Sequence, residues 1–204
     1  MNLLLIIAIL ILSYIVGSIP FGLVIVKIAI GKDVRSMGSG RTGGTNVMRA
    51  AGILAGALTA LMDLLKGGAG IWLASWLLPG QVWVQVTAGA LAIWGSIHSI
   101  FLRERGEDGK VHFHGGAGGA TTFGAVTALW LTAPLILFPI AALVYIFVGY
   151  ASITTISIAV AGTLLLIVRA IVANSPWEYI IMGLIAIAMV VYALRPNLKR
   201  LVEG

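Results

Sequence analysis

The sequence predicts an all-α polytopic integral membrane protein with about seven transmembrane helices, its N-terminus outside the cell and its C-terminus in the cytoplasm. Three observations carry this prediction. The 204 residues are 60% hydrophobic and only 10% charged, whereas a soluble domain has about 25% charged residues. The mean hydropathy is +1.07, and long apolar stretches alternate with three clusters of basic residues. The whole chain, 1–204, is predicted to form a single transmembrane domain.

Six apolar stretches are long enough for spanning helices, which need roughly 20 mainly apolar residues. They cover 3–30, 51–78, 82–102, 118–150, 153–173 and 177–194. The first stretch has no basic segment before it and is longer than the core of a signal peptide. We therefore interpret it as an uncleaved spanning helix.

The positions of the basic residues decide how the fourth stretch is interpreted. The basic clusters cover 27–49, 103–110 and 195–200, and the positive-inside rule favours the cytoplasm for all of them. An unbroken helix over 118–150 would put the last cluster outside the cell. An interruption near Ala133 and Pro134 restores agreement and gives seven helices, although both halves are short for a membrane crossing.

The segment between the first two apolar stretches is GSGRTGGTNVMRAAG, from Gly38 to Gly52. Its first six residues match G-x-G-x-x-G, but the dinucleotide-binding fingerprint requires a preceding strand, whereas an apolar helix is predicted here. A Walker A loop would need lysine at Gly44, so that motif is excluded.

Physical chemistry still allows an anion site in this segment. Consecutive glycines let several N–H groups point at one anion, and a following helix adds its positive N-terminal end. Arg41, Arg49 and the amide of Asn46 could add charge and hydrogen bonds. The alternative is a flexible cytoplasmic loop whose arginines only follow the positive-inside rule.

A second glycine cluster, HGGAGGATTFG from His114 to Gly124, follows the second basic cluster and opens another helix. By itself it could be a flexible turn with small residues for close helix packing. Two glycine-rich loops on one face, each leading into a helix, favour paired anion sites. The sequence therefore favours a membrane-surface enzyme that acts on phosphorylated substrates.

Other chemistries have little support in the sequence. The chain has no cysteine, which excludes thiolate metal ligands and a cysteine nucleophile. His112 and His114 have few carboxylates nearby, so no metal site is expected. Neither a G-x-S-x-G elbow nor an H-x-x-x-x-D motif is present, and we expect no cofactor and no nucleic-acid partner. Asp63 and Lys66, three residues apart on one helix, are expected to pair with each other or to cap a polar pocket.

The chain also carries GSIPFG at 17–22 and DLLKGG at 63–68, on either side of the glycine segment. Together these motifs resemble the bacterial acyl-phosphate:glycerol-3-phosphate acyltransferases, the PlsY family. The family pattern of the first loop is close to G-S-G-N-x-G-A-T-N-x-x-R, which residues 38–49 follow nearly position by position. Weaker matches are GSIHSIFLRER at 95–105, ASIT at 151–154 and RPNLKRL at 195–201. The resemblance spans essentially the whole chain.

The resemblance implies a seven-helix enzyme of the bacterial cytoplasmic (inner) membrane, with its active site facing the cytoplasm. It would transfer a fatty acyl group from acyl phosphate to the 1-position of glycerol 3-phosphate, giving lysophosphatidic acid and phosphate. Neither a metal nor an acyl-enzyme is implied, and membrane lipid is a further partner.

By the same resemblance, Ser39, Asn46 and Arg49 would be the catalytic residues. Residues of the two glycine loops and of the C-terminal third are the candidates for substrate and phosphate binding: Gly38, Gly40, Arg41, Gly43, Gly44, Thr45, Gly115, Gly116, Gly118, Gly119, Ser152, Arg195 and Asn197, with Lys110 as a further candidate.

The chain also departs from the family pattern in the later motifs. Ala117 replaces the lysine of G-G-K-G, Ser96 replaces the histidine of G-H, and Leu194 replaces the histidine that precedes the C-terminal motif. An insertion, EDGKVHFH, occupies 107–114. The cations that could replace the missing lysine are Lys110, Arg103, Arg105 and Arg195.

These departures keep other functions open. A catalytically silent relative could bind phosphorylated lipid precursors or act as the partner of an active paralogue. A transporter is less favoured, because it would require charged residues near the membrane midplane, and the sequence offers only Asp63 and Lys66 there.

Overall fold

The computed structural model describes residues 3–106 and 109–203, so that Glu107 and Asp108 of the insertion lie outside the described residues. Within them the fold is almost entirely helical. The helices are α1 (Leu3–Ser18), α2 (Phe21–Ile30), α3 (Gly44–Ala51), α4 (Ile53–Leu77), α5 (Val82–Ile97), α6 (Gly119–Leu129), α7 (Pro134–Val148), α8 (Ala151–Ala173) and α9 (Glu178–Glu203).

Five segments of the described chain are long and apolar enough to cross a membrane: Leu3–Ile30, Ile53–Leu77, Val82–Leu102, Ala151–Ala173 and Glu178–Leu201. The predicted interruption of the fourth apolar stretch is present, because α6 ends at Leu129 and α7 begins at Pro134. With 11 and 15 residues, these two helices are apolar but shorter than the spanning segments.

The first apolar stretch contains a break that the hydropathy pattern did not predict. Proline at position 20 has no N–H to continue the helical hydrogen bonds, and α1 therefore ends at Ser18. Side chains from other parts of the chain bind the carbonyls at this break, since Ser99 Oγ donates to Ser18 O at 2.5 Å and Lys66 Nζ donates to Ile19 O at 2.9 Å. The break directs α2 towards the first glycine loop.

Two further elements differ from the sequence-based expectation. The last helix was predicted to end at residue 194, but α9 continues to Glu203, because hydropathy marks the membrane-spanning part and not the helix end. The second basic cluster forms a small antiparallel hairpin of β1 (Arg103–Arg105) and β2 (Val111–Phe113), with Glu104 opposite His112. The predicted loop is therefore partly ordered by backbone pairing.

The helix ends sort into two groups at opposite ends of the bundle. One end carries 31–52, 98–118, 149–150 and the C-terminal turns of α9, and the other carries 78–81, 130–133 and 174–177. At the second end, the ring centroids of Trp83 and Trp177 lie 6.0 Å apart, and the Arg169 guanidinium donates to Leu129 O. All three basic clusters therefore gather at the first end, which we call the basic end.

Glycines allow the central helices to approach closely, as in other membrane helix pairs. A Cβ at Gly67 would overlap the carbonyl of Thr121, and one at Gly124 would overlap the carbonyl of Leu64, so α4 and α6 touch backbone to backbone. The predicted Asp63–Lys66 pair forms within α4, with Nζ 2.8 Å from Oδ1 and both side chains buried.

Candidate functional site

The first loop, residues 31–52, is held in shape by its own polar side chains. The Asp33 carboxylate accepts from the N–H of Arg35 at 2.8 Å and from the Arg35 guanidinium at 2.7 Å. This hydrogen bonding from Arg35 holds the pKa of Asp33 below its ordinary value. Arg35 also donates to Glu104 of β1, which ties the hairpin to the loop.

Asn46 is the central organiser of the first loop. Its Nδ2 donates to the carbonyls of Val34, Met37 and Arg41 at 3.3, 3.0 and 2.8 Å, and its Oδ1 accepts from the N–H of Ser39 at 3.0 Å. The side chain is only 5% exposed. Because these contacts occupy both ends of the amide, the geometry favours a positioning role for Asn46 over direct contact with substrate.

Two other catalytic candidates are accessible. Ser39 is exposed, and its hydroxyl has no hydrogen-bond partner in the described chain. It lies between Gly38 and Gly40, whose φ angles of 52° and 70° require glycine-like backbone freedom. Arg49, in the last turn of α3, is exposed and makes no ion pair with a described residue. Both side chains can therefore meet a ligand.

The remaining candidates of the first loop surround the start of α3. Gly43 is the N-cap, Gly44 begins the helix, and Thr45 is half-buried in its first turn. A Cβ at Gly44 would lie 2.9 Å from the carbonyl oxygen of Gly56. Gly44 therefore serves the close contact between α3 and α4.

Arg41 joins three separate parts of the chain. Its guanidinium donates to Gly116 O at 3.3 Å and to Asn197 Oδ1 at 3.1 Å, and it also donates to Ala193 O. All three acceptors are neutral, and none of the described carboxylates pairs with it. Burial lowers the pKa of Arg41, and the nearby charge of Arg200 lowers it further. A partly buried cation without a counterion is a natural site for an anion.

The second glycine loop, residues 114–119, lies against the end of α5. Gly116 N donates to Ser96 O at 2.9 Å, and a Cβ at Gly115 would overlap the carbonyls of Ser96 and Ile97. Gly118 has a φ of 80° at the N-cap of α6, and a Cβ at Gly119 would lie 2.8 Å from Thr155 Cγ2. These contacts favour close packing as the main role of the glycines, with Gly116 O as the link to Arg41.

A pocket of about 360 Å³ lies where the first turn of α8 meets the last turns of α9. It is lined by Tyr150, Ser152, Asn197, Arg200 and Leu201. The structure thus brings together the candidates Ser152 and Asn197. It also adds Arg200, which we did not single out from the sequence, although its spacing of three residues from Asn197 places both on one helix face.

Arg195 lies elsewhere on α9. Its guanidinium carbon is 4.9 Å from the ring centroid of Tyr192, and both side chains are exposed. Residues two positions apart on a helix point in very different directions, so Arg195 does not share the pocket face of Asn197.

A second pocket of about 500 Å³ lies between the first loop and the hairpin. Its lining consists of Asp33, Arg35, Ser36, Ser39, Gly40, Glu104 and His114. His114 Nε2 lies 3.4 Å from Glu104 Oε2, and Glu104 in turn accepts from Arg35. Ser39 therefore faces a polar space that the hairpin partly encloses.

The structure also shows which cation lies beside Ala117. Lys110 is at the tip of the hairpin, and roughly 13 Å of extended chain separates it from His114. Arg103 and Arg105 are exposed strand residues. The cation that reaches the backbone next to both Ala117 and Leu194 is Arg41, through Gly116 O and Ala193 O. Sequence reasoning missed this because it sought a replacement near position 117 or near the C-terminus.

Known proteins that resemble this chain are glycerol-3-phosphate acyltransferases. A family model described as glycerol-3-phosphate acyltransferase matches residues 7–204. The chain is 38% identical over 198 residues to "Glycerol-3-phosphate acyltransferase 2" of Moorella thermoacetica, covering 96% of this chain and 93% of the relative. It is 34% identical over 205 residues to "Glycerol-3-phosphate acyltransferase 3" of Dehalococcoides mccartyi strain CBDB1, covering 95% and 91%.

Among solved structures, the chain is similar to PlsY (YgiH), an integral membrane glycerol 3-phosphate acyltransferase, in its glycerol 3-phosphate form. The TM-score is 0.84 at 31% identity, over 98% of this chain and 92% of that one. The lysophosphatidic acid form of PlsY gives a TM-score of 0.81 at 30% identity, over the same shares of the two chains.

Proposed function

The chain belongs to the glycerol-3-phosphate acyltransferase family, and we propose that it transfers a fatty acyl group from acyl phosphate to the 1-position of glycerol 3-phosphate. The products are lysophosphatidic acid and inorganic phosphate, and the activity belongs to phospholipid synthesis. The relatives named above support the acceptor substrate, and the solved PlsY forms carry glycerol 3-phosphate and lysophosphatidic acid.

One observation carries the proposal for this chain. Arg41, Arg49 and Arg200 all lie at the basic end, and no described carboxylate neutralises any of them. Both substrates are phosphorylated, and guanidinium groups suit phosphate because their planar N–H donors match its oxygens. These three arginines are therefore available to bind the phosphate groups of the two substrates.

The chemistry needs little beyond positioning, because an acyl phosphate is already an activated donor. The hydroxyl oxygen of glycerol 3-phosphate attacks the acyl carbon, a new ester bond forms, and the bond from that carbon to the phosphate oxygen breaks. The hydroxyl proton leaves with the phosphate or with solvent. Arginine side chains hold the phosphates and stabilise the departing charge, and alignment of the two substrates lowers the barrier further.

Individual roles follow from the contacts. Ser39 and Arg49 are accessible and would touch substrate, whereas Asn46 would act by holding the loop that presents them. Ser152 and Asn197 would line the phosphate site together with Arg41. The glycines of the second loop would act by keeping Gly116 O and the start of α6 close to this site.

We further propose seven membrane crossings, with the N-terminus outside and the basic end in the cytoplasm of a bacterial inner membrane. Support comes from the alternation of helix ends between the two ends of the bundle and from the basic clusters. Helices α6 and α7 would be roughly 17 and 23 Å long, against about 30 Å of hydrocarbon. Because α6 and α7 are shorter than the hydrocarbon layer, neighbouring helices and loops would have to cover their ends within the membrane.

Acyl transfer by the purified protein tests the function. Palmitoyl phosphate and glycerol 3-phosphate are supplied in lipid nanodiscs, and both phosphate and lysophosphatidic acid are measured. We expect turnover, and we expect Arg49→Gln to lower kcat/KM by about 100-fold or more, since a donor to developing charge is lost. Lys32→Gln, an exposed cation of the same loop, is the matched control and should retain activity. A folded wild-type protein that forms no lysophosphatidic acid would refute the proposal.

A further inference from the structure

Arg41 and Arg200 come from opposite ends of the sequence and lie close together at the basic end. Arg200 is near enough for its charge to lower the pKa of Arg41. Asn197 connects them, because its Oδ1 accepts from Arg41 at 3.1 Å and its side chain lines the same pocket as Arg200. Two like charges in this arrangement repel each other, and an anion bound between them would offset that repulsion.

No carboxylate in the described part of the chain supplies such an anion. None of the described carboxylates forms an ion pair with either arginine. The residue that precedes Arg200 in α9, Lys199, does form an ion pair, with its Nζ 3.7 Å from Glu203 Oε1. Arg41 uses only neutral acceptors. Burial of Arg41 therefore has a desolvation cost that no contact with a described carboxylate offsets.

We propose that Arg41 and Arg200 form a two-cation clamp for one phosphate group, and that this group belongs to the acyl phosphate donor. The inference rests on the proposed function for the identity of the donor. The pocket walls support the donor over glycerol 3-phosphate, because Tyr150 and Leu201 add apolar surface next to Arg200. An acyl phosphate joins a phosphate to a hydrocarbon chain, whereas glycerol 3-phosphate is polar throughout.

Binding of inorganic phosphate tests the clamp without any turnover. Phosphate is titrated into wild-type protein in nanodiscs at constant ionic strength, and the rise in Tm gives the apparent affinity. We expect Arg200→Gln to weaken this affinity by about tenfold or more, as expected for losing a charge-assisted hydrogen bond. Lys199→Gln changes the charge equally one residue away and should leave the affinity unchanged.

A double variant separates a shared ligand from two independent effects. If both arginines bind the same phosphate, each single variant should weaken binding, and the loss in the double variant should differ from the product of the two single losses by about twofold or more. Arg200 is exposed, so its variant remains informative even if Arg41→Gln folds poorly. Unchanged phosphate affinity in Arg200→Gln, or losses that simply multiply, would overturn the clamp.

Steady-state kinetics identify the substrate. We expect Arg200→Gln to raise the KM for palmitoyl phosphate by about tenfold and to leave the KM for glycerol 3-phosphate within about twofold. A rise for glycerol 3-phosphate alone would overturn the assignment to the donor. If phosphate binding depends on Arg200 but no lysophosphatidic acid forms, the proposed function fails while the clamp stands.

Discussion

Replacement of Lys66 by methionine should strongly destabilise the protein, because Lys66 has two buried partners. Its Nζ lies 2.8 Å from Asp63 Oδ1 and donates to Ile19 O at 2.9 Å. The side chains of Lys66 and Asp63 are only 5% and 10% exposed. The methionine fills a similar volume but leaves a buried carboxylate without a counterion and a carbonyl at the α1–α2 break without a donor.

The expected magnitude follows from these two losses. Breaking a buried ion pair by removing one partner costs about 3–5 kcal/mol. For a chain of this length, each kcal/mol corresponds to roughly 2–4 °C in Tm, so Lys66→Met should melt roughly 6–20 °C below wild type. Adding Asp63→Asn removes the buried charge, and the double variant should recover most of the loss. About 1–3 kcal/mol would remain for the unpaired carbonyl of Ile19.

Thermal unfolding followed by tryptophan fluorescence in one detergent provides the measurement. Lys199→Gln is the control, since it breaks an exposed pair at i,i+4 with 74% and 63% exposed side chains, and such pairs contribute little. The reasoning would be refuted by a Lys66→Met protein that melts with the wild type. It would also be refuted by a double variant that is no more stable than the single one.

Two further predictions concern the first loop. A Cβ at Gly22 would overlap the Thr42 carbonyl and lie 2.8 Å from Val47 Cγ2, so Gly22→Ala should displace the loop on the order of 1 Å and lower kcat/KM about 100-fold. Unchanged kcat/KM would mean that the loop adjusts without moving Ser39. Glu104→Gln removes the carboxylate that accepts from Arg35. Because the pair is exposed, the Tm should hardly change. Amide hydrogen exchange in 103–113 should nevertheless become faster, since the hairpin loses this contact with the first loop. Equal amide exchange rates in the wild type and in Glu104→Gln would contradict a stabilising contact between the hairpin and the first loop.

The glycine prediction has a matched control at the opposite end of the bundle. Gly80 has a φ of 78° and no atom within 4 Å of an added Cβ. Asparagine tolerates this left-handed conformation better than other side chains, so Gly80→Asn should keep both Tm and acyl transfer close to wild type.

The candidate site was only partly predictable from the sequence. The resemblance in residues 38–49 pointed to Ser39 and Arg49, which the structure leaves accessible. It also pointed to Asn46, but the amide has its contacts inside the loop, and hydrogen bonds to three carbonyls cannot be inferred from a motif. Arg200 was missed because its significance depends on a neighbour 159 positions away, Arg41, that no spacing rule connects to it.

By itself, the sequence determined the class of fold and indicated the end of the bundle at which the candidate site lies. The length of an apolar stretch limits where a helix can cross a membrane, and basic residues are enriched in cytoplasmic loops. The spanning segments and the basic end can therefore both be predicted from local composition. The same local information located the interruption before Pro134, because an unbroken helix would put the last basic cluster outside the cell.

Only the tertiary structure decided which polar groups from distant parts of the sequence meet. The Lys66 contact with the α1–α2 break and the contacts of Arg41 with Gly116, Ala193 and Asn197 join residues far apart in sequence, up to 156 positions. Such contacts depend on how helices pack, which follows from side-chain shape and backbone approach at crossings such as Gly124 against Leu64. Hydropathy reports the environment of a segment but not its neighbours, and therefore the phosphate clamp emerged only from the folded chain.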